Sequence, residues 1–258
     1  MSGNASKAVI TLCMLTRNEE DRVSASLGAV RDHVARMVVV DAESDDRTRE
    51  IAEQSGAEVI VRPWEGFVAA RRFLLSLAET PWVLMIDADE VIEPGLWAEL
   101  EECGFPQRSE HGFQLRRRTV YQGRKLRRVH QPDWKMALVR ADSAYFEDRA
   151  VHEALCVNGP VARLKTEILH STYRSAEDQY RRIDTYARLG ARDLAERGKH
   201  AGLGNLWLRP AWRWFTELFL LGGIIDGALG VTMANRSAYS VHLRYRYLRR
   251  LNEDPRAR

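Results

Sequence analysis

Four short apolar runs, three of them ending at acidic or polar residues, constrain the fold of this chain more than any other feature. They are Ala8–Leu15, Met37–Asp41, Glu58–Arg62 and Trp82–Ile86. The first, second and fourth are nearly continuous and rich in β-branched residues, the pattern of strands buried on both faces. Segments of helical spacing separate them. Glu20–His33 sets Val23, Leu27 and Val30 on one face; a second helix runs from Ser44 or Asp45 to about Ser55, where Gly56 stops it; a third runs from Phe67, after Gly66, to about Leu77. Alternation at this spacing builds right-handed βαβ units around a parallel sheet. A chain of 258 residues holds one large α/β domain or two small ones.

Ligands of such sheets bind at the carboxyl ends of the strands. Three polar groups fall there: Thr16-Arg17-Asn18-Glu19-Glu20, Asp41 with Ser44 and Asp45, and Asp87-Ala88-Asp89-Glu90. Three carboxylates within four residues repel one another, which is costly at a strand end unless a cation neutralises them. Hard oxygen ligands select Mg2+ or Mn2+, and Mg2+ commonly bridges to substrate phosphates. Asp41, ending its strand, can accept hydrogen bonds from a base or ribose, while Ser44 and Asp45 read as caps of the next helix. The dinucleotide motif G-x-G-x-x-G, the P-loop and the G-x-S-x-G elbow are all missing, which disfavours those three enzyme classes.

The middle of the chain, 104–170, changes character. Gly112–Arg118, Met136–Val139 and Lys165–His170 read as short strands suited to antiparallel additions. A long helix is expected from Ser175 to Arg197, with Ser175 and Asp178 as a cap-like start and Gly198 as the stop. The last sixty residues are rich in Gly, Trp and Arg and read as helical. Trp214–Ala234 is apolar-leaning, but it contains Glu217, Asp226 and four glycines, which argues against a lone span. Trp207, Trp212 and Trp214 with Arg209 and Arg213 suit a headgroup interface; a core-packed helix is the other reading.

The net charge is only +3, yet all but five of the 39 basic residues are arginine. Guanidinium forks grip phosphate, although genome composition alone can account for the choice of Arg. Residues 236–258 hold seven Arg against Glu253 and Asp254, which fits an anionic membrane surface as partner. Residues 116–128 are a second basic run. No RNA-binding aromatic motif accompanies it, so nucleic acid is not expected. Cys13, Cys103 and Cys156 are widely spaced, supporting neither a disulfide framework nor a zinc site, and no leader peptide is expected.

In order and spacing, T-R-N-E-E at 16–20, V-D-x-x-S-x-D-x-T at 40–48, W-E-G-F at 64–67, W-V-L-x-I-D-A-D-E at 82–90, P-D at 132–133, V-H-E at 151–153, L-H-S-T-Y-R-S at 169–175 and R-P…D-G-x-x-G at 209–230 form one set. With it the chain resembles the family 2 glycosyltransferases of the GT-A fold. Within these it is similar to the bacterial lipopolysaccharide-core enzymes that add glucose to heptose. The resemblance implies an α/β, Rossmann-like, mainly parallel mixed sheet flanked by helices over 1–174, with a nucleotide-sugar half at 1–103 and an acceptor half at 104–174. A helical, membrane-associating or acceptor-binding appendage would occupy 175–258. It implies a UDP-sugar donor held by Thr16, Asn18, Glu19, Asp41, Arg71, Asp87 and Ala88, and Mg2+ or Mn2+ held by Asp87, Asp89 and His170. It further implies a glycolipid acceptor at the cytoplasmic face of the inner membrane.

Inverting transfer needs a base for the acceptor hydroxyl. Glu153 is the candidate, with Asp148 and Glu90 behind it; the other reading of Glu153 is an ion pair with Arg149. The sequence departs from the family pattern at Ala70-Arg71-Arg72, where Q-K-N is usual, at 41–48, where Glu43 and Arg47 replace the two usual glycines, and at Ala137, where Arg is usual and Lys135 stands nearby. The carboxylates are kept, which favours an active enzyme. A sugar-phosphate nucleotidyltransferase and a non-catalytic sugar-nucleotide or glycolipid binder are the alternatives. The oligomeric state is not set by the sequence.

Overall fold

A computed structural model describes residues 9–129, 131–147 and 154–253. They form two compact units. One runs up to Arg117 and resumes from Asp133 to His170; the other comprises Arg118–Pro132 and the chain from Ser171 onward. The first unit thus ends at His170, and the segment 118–132 leaves it for the second unit, which periodicity along the chain does not reveal.

The first unit begins with β1 (Ile10–Thr16), α1 (Val23–Gly28), β2 (Arg36–Asp41), α2 (Thr48–Gln54), β3 (Glu58–Val61), α3 (Phe67–Ser76) and β4 (Trp82–Met85). It continues through β5 (Glu90–Ile92), α4 (Gly95–Glu102) and β6 (Gly112–Tyr121), whose last residues cross into the second unit. After the excursion of β7 (Arg124–Lys125) come β8 (Trp134–Arg140), β9 (Ala144–Glu147), β10 (Ala154–Val157) and β11 (Val161–His170). The main sheet runs β3-β2-β1-β4-β8-β6-β11-β5. Strands β3, β2, β1 and β4 are parallel, while β8 is antiparallel to both β4 and β6, and β5 to β11. Strands β9 and β10 pair separately.

The apolar runs are explained by burial on both faces. Leu12 and Met14 of β1, Val39 of β2 and Leu84 of β4 join one core with Val23 and Leu27 of α1 and Leu96 and Leu100 of α4. Their neighbours Cys13, Val38, Val40, Val83 and Met85 join a second core with Leu74 of α3. Alternate residues point to opposite faces of a strand, so two covered faces require an unbroken apolar run.

The second unit holds α5 (Ala176–Glu196), α6 (Leu203–Phe215) and α7 (Gly227–Glu253), with a π-helical turn at 216–220 and a 3-10 turn at 223–226. Ser175 caps α5, its hydroxyl accepting from the Asp178 amide at 3.1 Å. Ile183 and Ala187 of α5 pack on Leu243 of α7, and Ala191 and Ala195 on Leu248 and Leu251. A Cβ on Gly230 would lie 1.8 Å from the Gly223 carbonyl oxygen, so only glycine lets α7 start against the 3-10 turn. Much of 236–253, read as a basic tail, is therefore a packed helix. Arg236 is buried, bonds Tyr121 and Gln179, and lies over the Tyr121 ring.

Candidate active site

The ends of β1 and β2 are in register, with Thr16 opposite Asp41, and the loops leaving them are stitched together. The Thr16 hydroxyl donates to Asp41 Oδ2 at 3.1 Å; the Ser44 amide donates to Asp41 Oδ1 at 2.8 Å and its hydroxyl to Oδ2. The Asn18 amide donates to Ser44 Oγ at 2.9 Å, the Asp45 amide to Asn18 Oδ1 at 3.0 Å and the Glu19 amide to Thr48 Oγ1 at 2.7 Å. Asn18 and Glu43 both take φ near +55°, a left-handed backbone that non-glycine residues adopt only where surroundings enforce it.

Two expectations change here. Asp41 does not present its carboxylate to a nucleotide: it is fully buried, and both oxygens serve the loops. Asn18 has the same loop-pairing role. Ser44 and Asp45 do not cap α2, which starts at Thr48, where the Asp46 carboxylate accepts the Thr48 amide at 2.9 Å.

In front of these loops opens a cavity of about 340 Å³, lined by Thr16, Arg17, Glu19, Trp64, Phe67, Arg71, Asp87, Ala88 and Asp89. The structure thus gathers Thr16, Glu19, Arg71, Asp87, Ala88 and Asp89 around one cavity. Trp64 and Phe67 meet edge to face, with ring centroids 4.6 Å apart, and form an aromatic wall. The W-E-G-F motif signalled these residues but not their role. A second cavity of about 650 Å³ shares Arg71 and Asp87 and adds Arg117, Asp133, Lys135 and Tyr145.

Asp87 sits between the cavities. Lys135 Nζ lies 2.9 Å from its Oδ2 and an Arg71 guanidinium nitrogen 3.1 Å from its Oδ1. Burial alone would raise the Asp87 pKa, but the Lys135 and Arg71 charges outweigh it and hold the carboxyl well below the usual range. Lys135 is also paired with Glu90. Burial alone would favour its neutral amine; Asp87 and Glu90 reverse this and raise its pKa. Sequence alone did not single out Lys135 as a site residue, although it stands two residues before the unusual Ala137. Ala137 is fully buried in the core.

Glu90 begins β5 fully buried. Besides Lys135 it faces Arg117 at 3.4 Å and accepts the Asp87 amide at 2.9 Å. A carboxylate so enclosed organises the turn and is no longer a candidate for taking a substrate proton. The other two base candidates, Asp148 and Glu153, lie outside the described residues.

The pairing of β11 with β5 puts His170 opposite Glu90, and His170 Nε2 lies 3.3 Å from Asp89 Oδ2. Burial raises the Asp89 pKa, but the hydrogen bond and charge of His170, with Arg22 3.7 Å away, lower it on balance. Among the described residues no three His, Cys, Asp or Glu side chains converge. Of the expected metal set, Asp87 is paired with Lys135 and Arg71, while Asp89 and His170 face each other. One carboxylate and one imidazole suit a divalent cation that completes its shell with phosphate oxygens and water.

This geometry places a charged cleft with an aromatic wall at the carboxyl ends of the parallel strands. Residues 11–103 match the Glycosyl transferase family 2 model. An uncharacterized glycosyltransferase of Rickettsia felis is 28% identical over 252 residues, covering 93% of this chain and 89% of the relative. Among solved structures, glucosyl-3-phosphoglycerate synthase from Mycobacterium tuberculosis in complex with phosphoglyceric acid is 15% identical. It covers 68% of this chain and 76% of that one, with a TM-score of 0.47. Mannosyl-3-phosphoglycerate synthase from Rubrobacter xylanophilus is 16% identical, covers 76% of each chain and has a TM-score of 0.45.

Proposed function

We propose that this chain is a family 2 glycosyltransferase that moves a hexose, glucose from UDP-glucose, with inversion onto a hydroxyl of a glycolipid of the lipopolysaccharide inner-core type. The acceptor would be held at the cytoplasmic face of the inner membrane. The observation that carries the reading is the pair of cavities sharing Asp87 and Arg71: one is bounded by the strand-end loops and an aromatic wall, the other lies beside it. A nucleotide fits the first, with its base against Trp64 and Phe67, and its sugar is then directed toward Asp87 and the second cavity, where an acceptor enters.

Asp89 and His170 would hold a divalent cation, which when bound supplies neutralising charge to the leaving diphosphate. Arg71 adds a fixed positive charge beside the same position, and Lys135 keeps Asp87 ionised. In the transfer the acceptor oxygen attacks the anomeric carbon from the face opposite UDP. The bond from that carbon to the UDP oxygen breaks, and the hydroxyl proton passes to a carboxylate base. On sequence grounds that base is Glu153, with Asp148 as the alternative.

The test is UDP release from a panel of nucleotide sugars with Mn2+, alongside thermal shift. A donor that binds the folded state raises its apparent stability by mass action. UDP-glucose is expected to give the largest shift and turnover, and Asp89→Ala to abolish turnover. Absence of both shift and UDP release with every nucleotide sugar overturns the reading.

A further inference from the structure

We infer that the second unit carries a bipartite docking surface for an anionic phospholipid bilayer: an apolar vertex at Leu220–Ile225 that enters the lipid, and a basic hairpin tip at Arg124–Arg128 that meets the headgroups. The inference rests on the reading that the acceptor is held in a membrane, and it names the elements that would bring the enzyme there.

The apolar half is a continuous outward face. Leu208 is 72% exposed, Trp212 63%, Leu220 61% and Ile225 56%. Trp212, Phe215 and Phe219 form a ladder of rings, with successive centroids 5.9 and 5.2 Å apart. Among the described residues no single helix is long and apolar enough to cross a membrane; Leu203–Leu220 and Gly223–Glu253 meet at a 73° bend. The bend puts Leu220, Leu221, Ile224 and Ile225, all exposed, at its vertex. Gly222, at φ +74°, makes the turn. A stripe of this kind, with Trp at its edge and Arg209 and Arg213 on the same helix, suits insertion to the level of the acyl boundary rather than spanning.

The basic half is fixed to that vertex. Asp226 accepts the backbone amides of Arg127 at 2.5 Å, Arg128 at 2.8 Å and Val129 at 3.0 Å. Leu126 and Val129 are buried with Met233, while Arg124, Lys125, Arg127 and Arg128 are exposed. The contact is direct: a Cβ on Gly222 would lie 3.6 Å from both Arg128 Cγ and Ile225 Cδ1. Four cations beside an apolar wedge complement a negatively charged surface, each favouring association as long as salt does not screen it. A protein partner would need to match the ladder of rings and the cations together; an anionic bilayer offers both chemistries in one plane.

The experiment is sedimentation of the full chain with vesicles of phosphatidylcholine alone or mixed with phosphatidylglycerol, with UDP release measured in parallel on UDP-glucose and Mn2+. The wild type is expected to bind the anionic vesicles and to lose binding as salt is added. Ile224→Glu/Ile225→Glu, Leu208→Gln/Trp212→Gln and Arg127→Glu/Arg128→Glu should each lower partitioning by at least about tenfold. Their folding is checked by circular dichroism, and three sites on different elements guard against one variant misfolding. The inference is overturned if the wild type ignores anionic vesicles, or if the folded variants bind as it does. It is equally overturned if the wild type self-associates and the isoleucine variant becomes monomeric without any vesicle binding, since a second copy then covers the face. Vesicle binding without UDP release counts against UDP-glucose as donor and leaves the surface standing, and UDP release without vesicle binding sinks only the surface.

Discussion

The Lys135 ammonium, carried on β8, lies 2.9 Å from Asp87 Oδ2 at the end of β4 and is shared with the buried Glu90. One cation thus bridges two carboxylates of the Asp87–Glu90 cluster and holds Asp87 ionised. Removing one partner of a buried pair strands the other charge, so Lys135→Met is expected to cost about 3 kcal/mol of stability, with Arg117 softening the loss at Glu90. Urea melts check this. A midpoint unchanged from wild type would mean that the cluster does not depend on Lys135.

In the proposed function Asp89 and His170, 3.3 Å apart, would hold the divalent cation. Losing a ligand weakens a site at least as much as losing an outer partner, so Asp89→Asn and His170→Ala should each weaken Mn2+ binding by about 10–100-fold. Titrating Mn2+ in the presence of UDP by calorimetry checks this. Wild-type affinity in both variants would move the cation elsewhere.

How far the site was legible follows from the range of the interactions. β1, β2 and β4 and the grouping of Thr16, Glu19, Asp87 and Asp89 follow from short-range periodicity and the strand-end rule. Ser44 misled because a Ser before an apolar-periodic segment has one local signature, whether it caps a helix or bonds a buried carboxylate such as Asp41. The role of Lys135 depends on the register of β8 against β4, with Leu84 opposite Leu138, a pairing separated by dozens of residues. The same applies to Asp226: the D-G-x-x-G motif marks it, but not its three amide donors at 127–129.

Trp64 and Phe67 form the exposed side of the smaller cavity. Stacking of a base on an aromatic ring contributes about 1–3 kcal/mol, so Trp64→Ala should weaken UDP binding by about tenfold. Because the wall is remote from the breaking bond, KM for the donor should rise while kcat stays near wild type. A fall in kcat with KM unchanged would contradict the placement of the base.

Asp226 is the shared acceptor of the Arg127, Arg128 and Val129 amides. Asp226→Ala leaves them to water and should cost about 1–3 kcal/mol, with the loss concentrated in the hairpin. Amide hydrogen exchange reads this directly: Arg127, Arg128 and Val129 should exchange faster while the helical contact of Ala191 with Leu248 keeps its protection. Uniform acceleration across the second unit would make Asp226 a general stabiliser rather than a local clamp.

Cys13 lies fully buried in the second core of the first unit, with its thiol donating to the Leu74 carbonyl at 3.5 Å. Burial pushes the thiol up to about 12 from an ordinary 9.0, against the opposing pull of Arg36. Between these values the unfolded chain loses the proton while the folded protein keeps it. The contribution of the thiol to stability is therefore complete below pH 9 and falls away as pH rises toward 12. Denaturant melts should show wild type losing stability more steeply than Cys13→Ala above pH 9, whatever their difference at neutral pH. Parallel slopes would place the thiolate in the folded state. A thiol held protonated is also a poor nucleophile, so iodoacetamide at about pH 8 should spare Cys13 until the protein unfolds.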